Sequence, residues 1–251
     1  MKFVTAPGAS EDRAESAPVH DRLRGAPLGR GDVPTADLWH RDEIPYYGLD
    51  IETDTTVDGL DPTLAEVVAI ALTMPYSSDG DVVLTGPEAQ MLEELDRLLL
   101  ELPPGVLVTW NGAAFDLPFL AERARRAGVE LHLRLAEDPS LDDDRRPSRD
   151  GRSAYRASWG AHRHLDGYRL YRADVGRGLG LPCGLKPMAK FVGLTPVEVD
   201  REQIHQLSDE DLHEYVASDA RLARELVVRR LPAASRFADP FVPEDQYGSP
   251  R

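Results

Sequence analysis

From residue 46 the chain alternates apolar and polar positions, then changes period twice. Tyr46-Tyr47-Gly48-Leu49-Asp50-Ile51-Glu52 reads as a strand, with Asp58-Gly59 and Asp61-Pro62 marking the connection after it. Glu66 to Met74 (EVVAIALTM) predicts a strongly apolar second strand. Ser77 to Gly80 predicts a turn, and Val82-Val83-Leu84 a short third strand. Three strands with short connections predict an antiparallel meander. The pattern then becomes helical: Met91, Leu92, Leu95, Leu98, Leu99 and Leu102 fall on one stripe at a period near 3.6. Pro103-Pro104-Gly105 ends that helix. Val106 to Trp110 reads as a buried strand, stopped by Asn111-Gly112. A helix from about Leu117 to Ala127 follows, with Asp116 placed to cap it, Pro118 in its first turn and Gly128 beyond its end. A fifth strand is expected near His164-Leu165-Asp166. A final helix is expected from Asp209 to Arg229, with Ser208 as N-cap and Asp211 three residues on. This order predicts an α/β fold, a mixed sheet of three antiparallel strands followed by parallel ones, flanked by helices.

Composition sets the boundaries. The 251 residues suit one medium domain with tails. Residues 1–35 and 233–251 mix Gly, Pro, Ala and charged residues without period, so both are expected to be flexible tails. The body is expected over 36–232, with a low-order insertion at about 136–160. No apolar run approaches the ~18 residues of a membrane helix. Met1-Lys2-Phe3-Val4 does not open the continuous apolar core of a signal peptide. One cysteine, Cys183, excludes an intrachain disulfide framework and a Cys/His zinc cluster. A reducing cytoplasm and no membrane partner are the expectation.

Charge narrows the partners. The net charge is −15, from 44 acids against 29 bases, which argues against nonspecific coating of nucleic acid. Residues 145–190 run the other way, with eleven Arg or Lys against three acids, a net +8. An acidic body with one basic band can aim a phosphate chain at an acidic site; a solvated Arg-rich loop is the plainer alternative.

The chemistry lies in carboxylates. Asp50 and Glu52 are two apart on a strand and project from one face. Asp116 starts a helix just past the 106–110 strand. Tyr215 and Asp219 are four apart on the last helix and share one side of it. If the strand's acidic face meets these helices, four carboxylates and one phenol converge. Such a cluster repels itself, and each buried carboxylate carries a desolvation cost of several kcal/mol, so protonation or cations must neutralise it. Hard oxygen donors without Cys or His select two divalent cations, Mg²⁺ or Mn²⁺, the clamp used for phosphodiester hydrolysis.

These residues resemble the motifs of the DEDD superfamily of 3′–5′ exonucleases, in its DEDDy branch. Asp50-Ile51-Glu52-Thr53 is similar to the first motif, Asn111 to Asp116 (NGAAFD) to the second, and Tyr215-Val216-Ala217-Ser218-Asp219 to the third. The flavour resembles the proofreading domain of family B DNA polymerases and its stand-alone bacterial relatives, over about residues 44–230. The resemblance implies a ribonuclease H-like fold and removal of 5′-mononucleotides from single-stranded 3′ ends, DNA favoured. The acidic surface and low-order tails suit a protein held by a protein partner in repair or RNA processing. The resemblance also implies roles. Asp50 bridges both cations, Glu52 and Asp219 hold the one that carries the nucleophilic water, and Asp116 serves the second through water. Tyr215 orients the attacking water. Thr53, Asn111 and Phe115 touch the 3′-terminal nucleotide.

Each motif alone is weak, since acids on strands, Asn turns and Tyr-x-x-x-Asp on helices are common; their order and placement carry the inference. Lys186, in Gly184-Leu185-Lys186 before a predicted helix, is a candidate phosphate contact or a plain surface lysine. His162 and His164 are expected to be structural or solvated, and Cys183 a buried or semi-buried thiol. Two alternatives stay open: an RNA-trimming exoribonuclease, and a non-catalytic nucleic-acid-binding module on the same fold.

Overall fold

A computed structural model describes residues 44–75, 80–137, 155–199 and 207–234. Seven strands form one sheet in the order β3-β2-β1-β4-β7-β6-β5. They are β1 Tyr46–Thr53, β2 Val67–Thr73, β3 Val82–Thr85, β4 Val106–Thr109, β5 Leu133–Glu137, β6 Tyr155–Trp159 and β7 His162–Asp166. β1, β2 and β3 form the expected antiparallel meander, and β4 and β7 continue it in parallel. β5 and β6 close the far edge as antiparallel strands.

Helices cover both faces. On one side lie α1 Glu88–Glu101 and α2 Asp116–Ala127. Their leucines meet Tyr47, Leu49, Ile51, Leu107 and Trp159. On the other side lie α3 Gly167–Tyr171, α4 Leu185–Phe191 and the long α5 Asp209–Ala234. A π-helical turn, Arg172–Gly176, and a short segment, Arg177–Leu179, link α3 towards α4. Tyr46, Val106, Val108 and Leu165 face this second layer. β1 is buried on both faces, and its alternation decides which residues see which layer. Leu49 and Ile51 enter the first core; Gly48, Asp50 and Glu52 share the opposite face. Leu92 and Leu95 are fully buried, each contributing roughly 1.5–3 kcal/mol of apolar burial.

Several expectations shift. α2 begins at Asp116, with Phe115 as N-cap and no side-chain cap, so Asp116 is not the capping residue. Its carboxylate instead accepts its own backbone N–H and that of Ile51. α5 continues past Arg229 to Ala234, so the tail expected from 233 lies outside the described residues only from 235 on. The tail expected over 1–35 also lies outside them. The stretch expected to be low-order at 136–160 holds strand at both ends, the last residues of β5 and all of β6. Residues 138–154 lie outside the described residues, as does the turn expected at 77–80 except for Gly80. β5 and β6 are short and carry Arg134 and Arg156, so their alternation gives little apolar signal. Ser208 caps α5 as expected: its Oγ accepts the Asp211 N–H at 3.1 Å and donates to Asp211 Oδ2 at 2.6 Å.

Candidate active site

The site begins with a close approach. α5 lies across β1 and β2 on the face that carries Gly48, Asp50 and Glu52. A Cβ built on Gly48 would stand 2.3 Å from the Ala220 carbonyl oxygen and 2.5 Å from Thr73 Oγ1, so only glycine fits there. β2 opposes Asp50 with Ala71 and Glu52 with Ala69. These alanines pack against Val216, Ala217 and Ala220 of α5. Small residues on both partners let the helix settle onto the sheet, and its next side chain, Asp219, arrives beside the strand's acids. Each of Asp50, Glu52 and Asp219 offers a carboxylate oxygen, and these oxygens lie within 4.8 Å of one another. Asp219 is 2% exposed and Tyr215 is fully buried.

Lys186 supplies a positive charge to this pocket. Its Nζ donates to the Val197 carbonyl at 2.8 Å, stands 3.6 Å from Asp219 Oδ2 and sits 4.2 Å from the centre of the Tyr215 ring. The lysine is half-buried rather than a surface side chain.

Asp116 stands just beyond the three. β4 pairs with β1 only over Tyr46–Gly48, so α2 starts beside the second half of β1 and the Ile51 N–H reaches the Asp116 carboxylate. Asp116 is therefore adjacent to the strand that carries Asp50 and Glu52, but it is not one of the three acids whose oxygens converge. Burial pushes its carboxyl up to about 7, and the nearby Asp166 charge adds to the shift.

The remaining expected residues divide. Asn111 takes a positive φ of 73° at the turn after β4. Phe115 is half-buried and packs on Phe119 with ring centres 5.3 Å apart. The Thr53 hydroxyl donates to the Gly59 carbonyl at 2.7 Å, which braces the loop after β1. His162 Nε2 donates to the Leu99 carbonyl at 2.6 Å and its ring stacks edge-on against Tyr47, in keeping with a structural role. Cys183 is buried, and burial pushes its thiol up. In the basic band, Arg163 is buried and Arg169 lies 3.6 Å from Asp166, while Lys190 pairs with Glu198. Arg145, Arg146, Arg149 and Arg152 lie outside the described residues.

Two contributors had only faint sequence signals. Gly48, Ala69 and Ala71 are a run of small residues at alternate strand positions, a pattern that marks close helix approach. Asp166 closes β7 and collects backbone N–H groups from the Asn111 turn; an acid ending a buried strand is its only trace in the sequence.

Comparison with known proteins places this geometry. Residues 73–175 match the family model described as DNA polymerase family B, exonuclease domain. A DNA polymerase of Pyrococcus glycovorans is 36% identical over 69 residues, 27% of this chain and 8% of that one. The catalytic polypeptide of DNA polymerase epsilon from Eremothecium gossypii is 29% identical over 137 residues, 53% of this chain and 6% of that one. The family B DNA polymerase of Pyrobaculum calidifontis shares the fold, with a TM-score of 0.56 and 22% identity over 75% of this chain and 25% of that one. Over residues 73–175 the chain is similar to that exonuclease domain, and its sheet and helices share the fold of the Pyrobaculum polymerase structure. It spans under a tenth of the length of these two curated relatives. The family match includes the exonuclease domain's Asn111–Asp116 segment and Asp166; Asp50, Glu52, Tyr215 and Asp219 lie outside it and rest on their geometry. Among the described residues, no helix is long and apolar enough to cross a membrane.

Proposed function

We propose that this protein is a metal-dependent 3′–5′ exonuclease that hydrolyses the last phosphodiester bond of a single-stranded nucleic acid, DNA favoured, and releases 5′-mononucleotides. The observation that carries this reading is the convergence of Asp50, Glu52 and Asp219 within 4.8 Å. An all-oxygen donor set fits Mg²⁺ or Mn²⁺. Asp50, Glu52 and Asp219 would hold the cations, with Asp116 serving the second from its place beside Ile51. Bound divalent cations supply the Lewis acidity that ionises a water and offsets charge building on the phosphate.

The chain's own groups do the rest. Tyr215, fully buried, would orient the attacking water with its phenol. The Lys186 ammonium, held by Val197 and beside Asp219, favours a phosphate at the mouth of the pocket. Asn111 and Phe115 border the 3′-terminal nucleotide, and Thr53 contributes by holding the loop beside it.

Cleavage of a 3′-labelled single-stranded oligonucleotide tests the reading. Activity should require Mg²⁺ or Mn²⁺ and vanish in chelator. Asp50→Ala and Asp219→Ala should each lower the rate on the order of 10⁴-fold, the scale of losing a group central to the chemistry. Full activity in both variants overturns the proposal. Matched RNA and DNA strands in the same assay decide the sugar.

A further inference from the structure

Asp166 is a buried carboxylate near the site that accepts several backbone N–H groups, and no role in the chemistry above uses it. It ends β7, paired in register with Thr109 at the end of β4. Its Oδ1 accepts the Asn111 N–H at 2.9 Å and the Tyr168 N–H at 3.0 Å; its Oδ2 accepts the Ala113 N–H at 3.1 Å. The Arg169 N–H adds a longer contact at 3.4 Å to Oδ1, and Arg169 Nε stands 3.6 Å from Oδ2. The side chain is 4% exposed. One carboxylate thus ties the turn after β4 to the start of α3.

That turn needs holding. Asn111 is the one non-glycine residue with positive φ among the described residues, a strained conformation kept only where its surroundings over-determine it. The Asn111 carbonyl accepts the N–H groups of Ala114 and Phe115, and the Gly112 carbonyl accepts that of Leu117. Each bond passes the position of Asn111 on to the first turn of α2, where Asp116 sits. Gly112 adds a bond from its N–H to Thr109 Oγ1 at 3.1 Å.

The geometry points to Asp166 as a positioning residue: by binding the Asn111 and Ala113 N–H groups it sets the turn that delivers Asp116 to its place beside Ile51. The inference rests on the exonuclease reading and adds a residue to it. It acts through hydrogen-bond placement rather than through its charge.

Two variants separate placement from charge. Asp166→Asn keeps the size and one acceptor but presents an NH₂ where an N–H must be accepted. Asp166→Glu keeps the charge and moves the oxygens by one methylene. Asp96→Asn is the control, because Asp96 is also a buried carboxylate with three N–H contacts, none of them from the turn. Both Asp166 variants should lower kcat by about tenfold to a hundredfold, the scale of an ångström-level misplacement. Both should weaken Mn²⁺ binding, followed by titration calorimetry without substrate, by about tenfold. Amide exchange over residues 111–117 should quicken. Asp96→Asn should leave kcat and Mn²⁺ binding unchanged at a temperature where all variants are folded. Wild-type kcat and Mn²⁺ binding in Asp166→Asn, full recovery by the charge alone in Asp166→Glu, or an equal loss in Asp96→Asn each overturn the inference while leaving the nuclease reading intact. A wild-type protein that neither cleaves nor binds Mn²⁺ overturns both. If Asp166→Asn does not fold, Asp166→Glu carries the same measurements and the same outcomes.

Discussion

Two groups of carboxylates in this protein are set in opposite surroundings, Asp96 and Asp166 buried, Asp50 and Glu52 half-buried beside the buried Asp219. Asp96 on α1 is met by N–H donors: the His132 backbone at 2.7 Å, His132 Nδ1 at 2.8 Å and Trp159 Nε1 at 2.7 Å. Asp166 is met by the backbone of two segments. Asp50, Glu52 and Asp219 instead turn oxygens towards one another, with the Lys186 ammonium beside one of them. At about 5 Å and an effective dielectric near 20, each like-charged pair costs roughly 3 kcal/mol. A hydrogen bond to a charged acceptor contributes about 1.5–3 kcal/mol in the other direction. The first group is complete as protein. In the second, added positive charge offsets the mutual repulsion of the three carboxylates.

The sharpest way to break this contrast is to remove one acid from each group. Asp219→Ala should abolish cleavage, on the order of 10⁴-fold, while leaving stability without divalent ions unchanged or raised, because repulsion is relieved. Wild type should gain thermal stability with Mn²⁺, by about 2.7 kcal/mol at a hundredfold excess over the dissociation constant, and the variant should not. Scanning calorimetry with and without Mn²⁺ reads both. A variant stabilised by Mn²⁺ as strongly as wild type would show that the cluster is not the cation site.

Asp96→Ala should do the reverse. It leaves Trp159 Nε1, which is buried, and the His132 N–H without their acceptor, so stability should fall by about 3 kcal/mol, with cleavage per folded molecule unchanged. Urea unfolding followed through tryptophan emission measures the first, and the oligonucleotide assay the second. A loss of cleavage beyond the loss of folded protein would mean that the two groups are coupled after all.

The meander, the two leucine-rich helices and the capping of α5 were legible because each has a strong local period or cap. Leu92 and Leu95 can only face inward, and Ser208 with Asp211 closes a helix start by itself. The three acids were legible as types and spacings, Asp50 with Glu52 on one strand face and Tyr215 with Asp219 on one helix side. Their meeting was not legible in those spacings, since it depends on Gly48 and on Ala69, Ala71 and Ala220, residues with little pattern of their own. The β5–β6 edge was hidden because its alternation is short and interrupted by arginine. Asp166 was hidden because its partners are backbone N–H groups 53 and 55 residues away, which no side-chain motif records.

Gly48 gives a way to move one group without touching a carboxylate. Gly48→Ala places a methyl against the Ala220 carbonyl, so α5 must rise from the sheet and take Asp219 with it. Stability should fall by about 1–3 kcal/mol, the usual scale of overpacking. Cleavage should fall further than stability explains, and the apparent Mn²⁺ requirement should rise. If only stability changes, the placement of Asp219 does not depend on how closely α5 approaches β1, and the small residues do not set the cluster.

The smallest effect concerns a group held by protein partners and kept uncharged. His164 on β7 has Nε2 2.8 Å from Thr109 Oγ1, and burial, with the Arg169 charge second, pushes its imidazole down to about 3 from an ordinary 6.5. The folded state refuses a proton that the unfolded chain accepts below about 6.5. Its contribution to stability is therefore present above that pH and is lost progressively as pH falls towards about 3, at no more than roughly 1.4 kcal/mol per unit. His164→Gln keeps a polar side chain near Thr109 but cannot titrate. Urea midpoints at pH 7 and pH 4.5 should therefore differ less for the variant than for wild type, with the cation cluster unaltered in both. Parallel curves would mean that His164 is protonated in the folded protein. The strand end shared by Thr109 and Asp166 would then be tolerating a buried positive charge, and the contrast between groups kept uncharged or paired by the protein and acids that face one another would lose one of its clearest members.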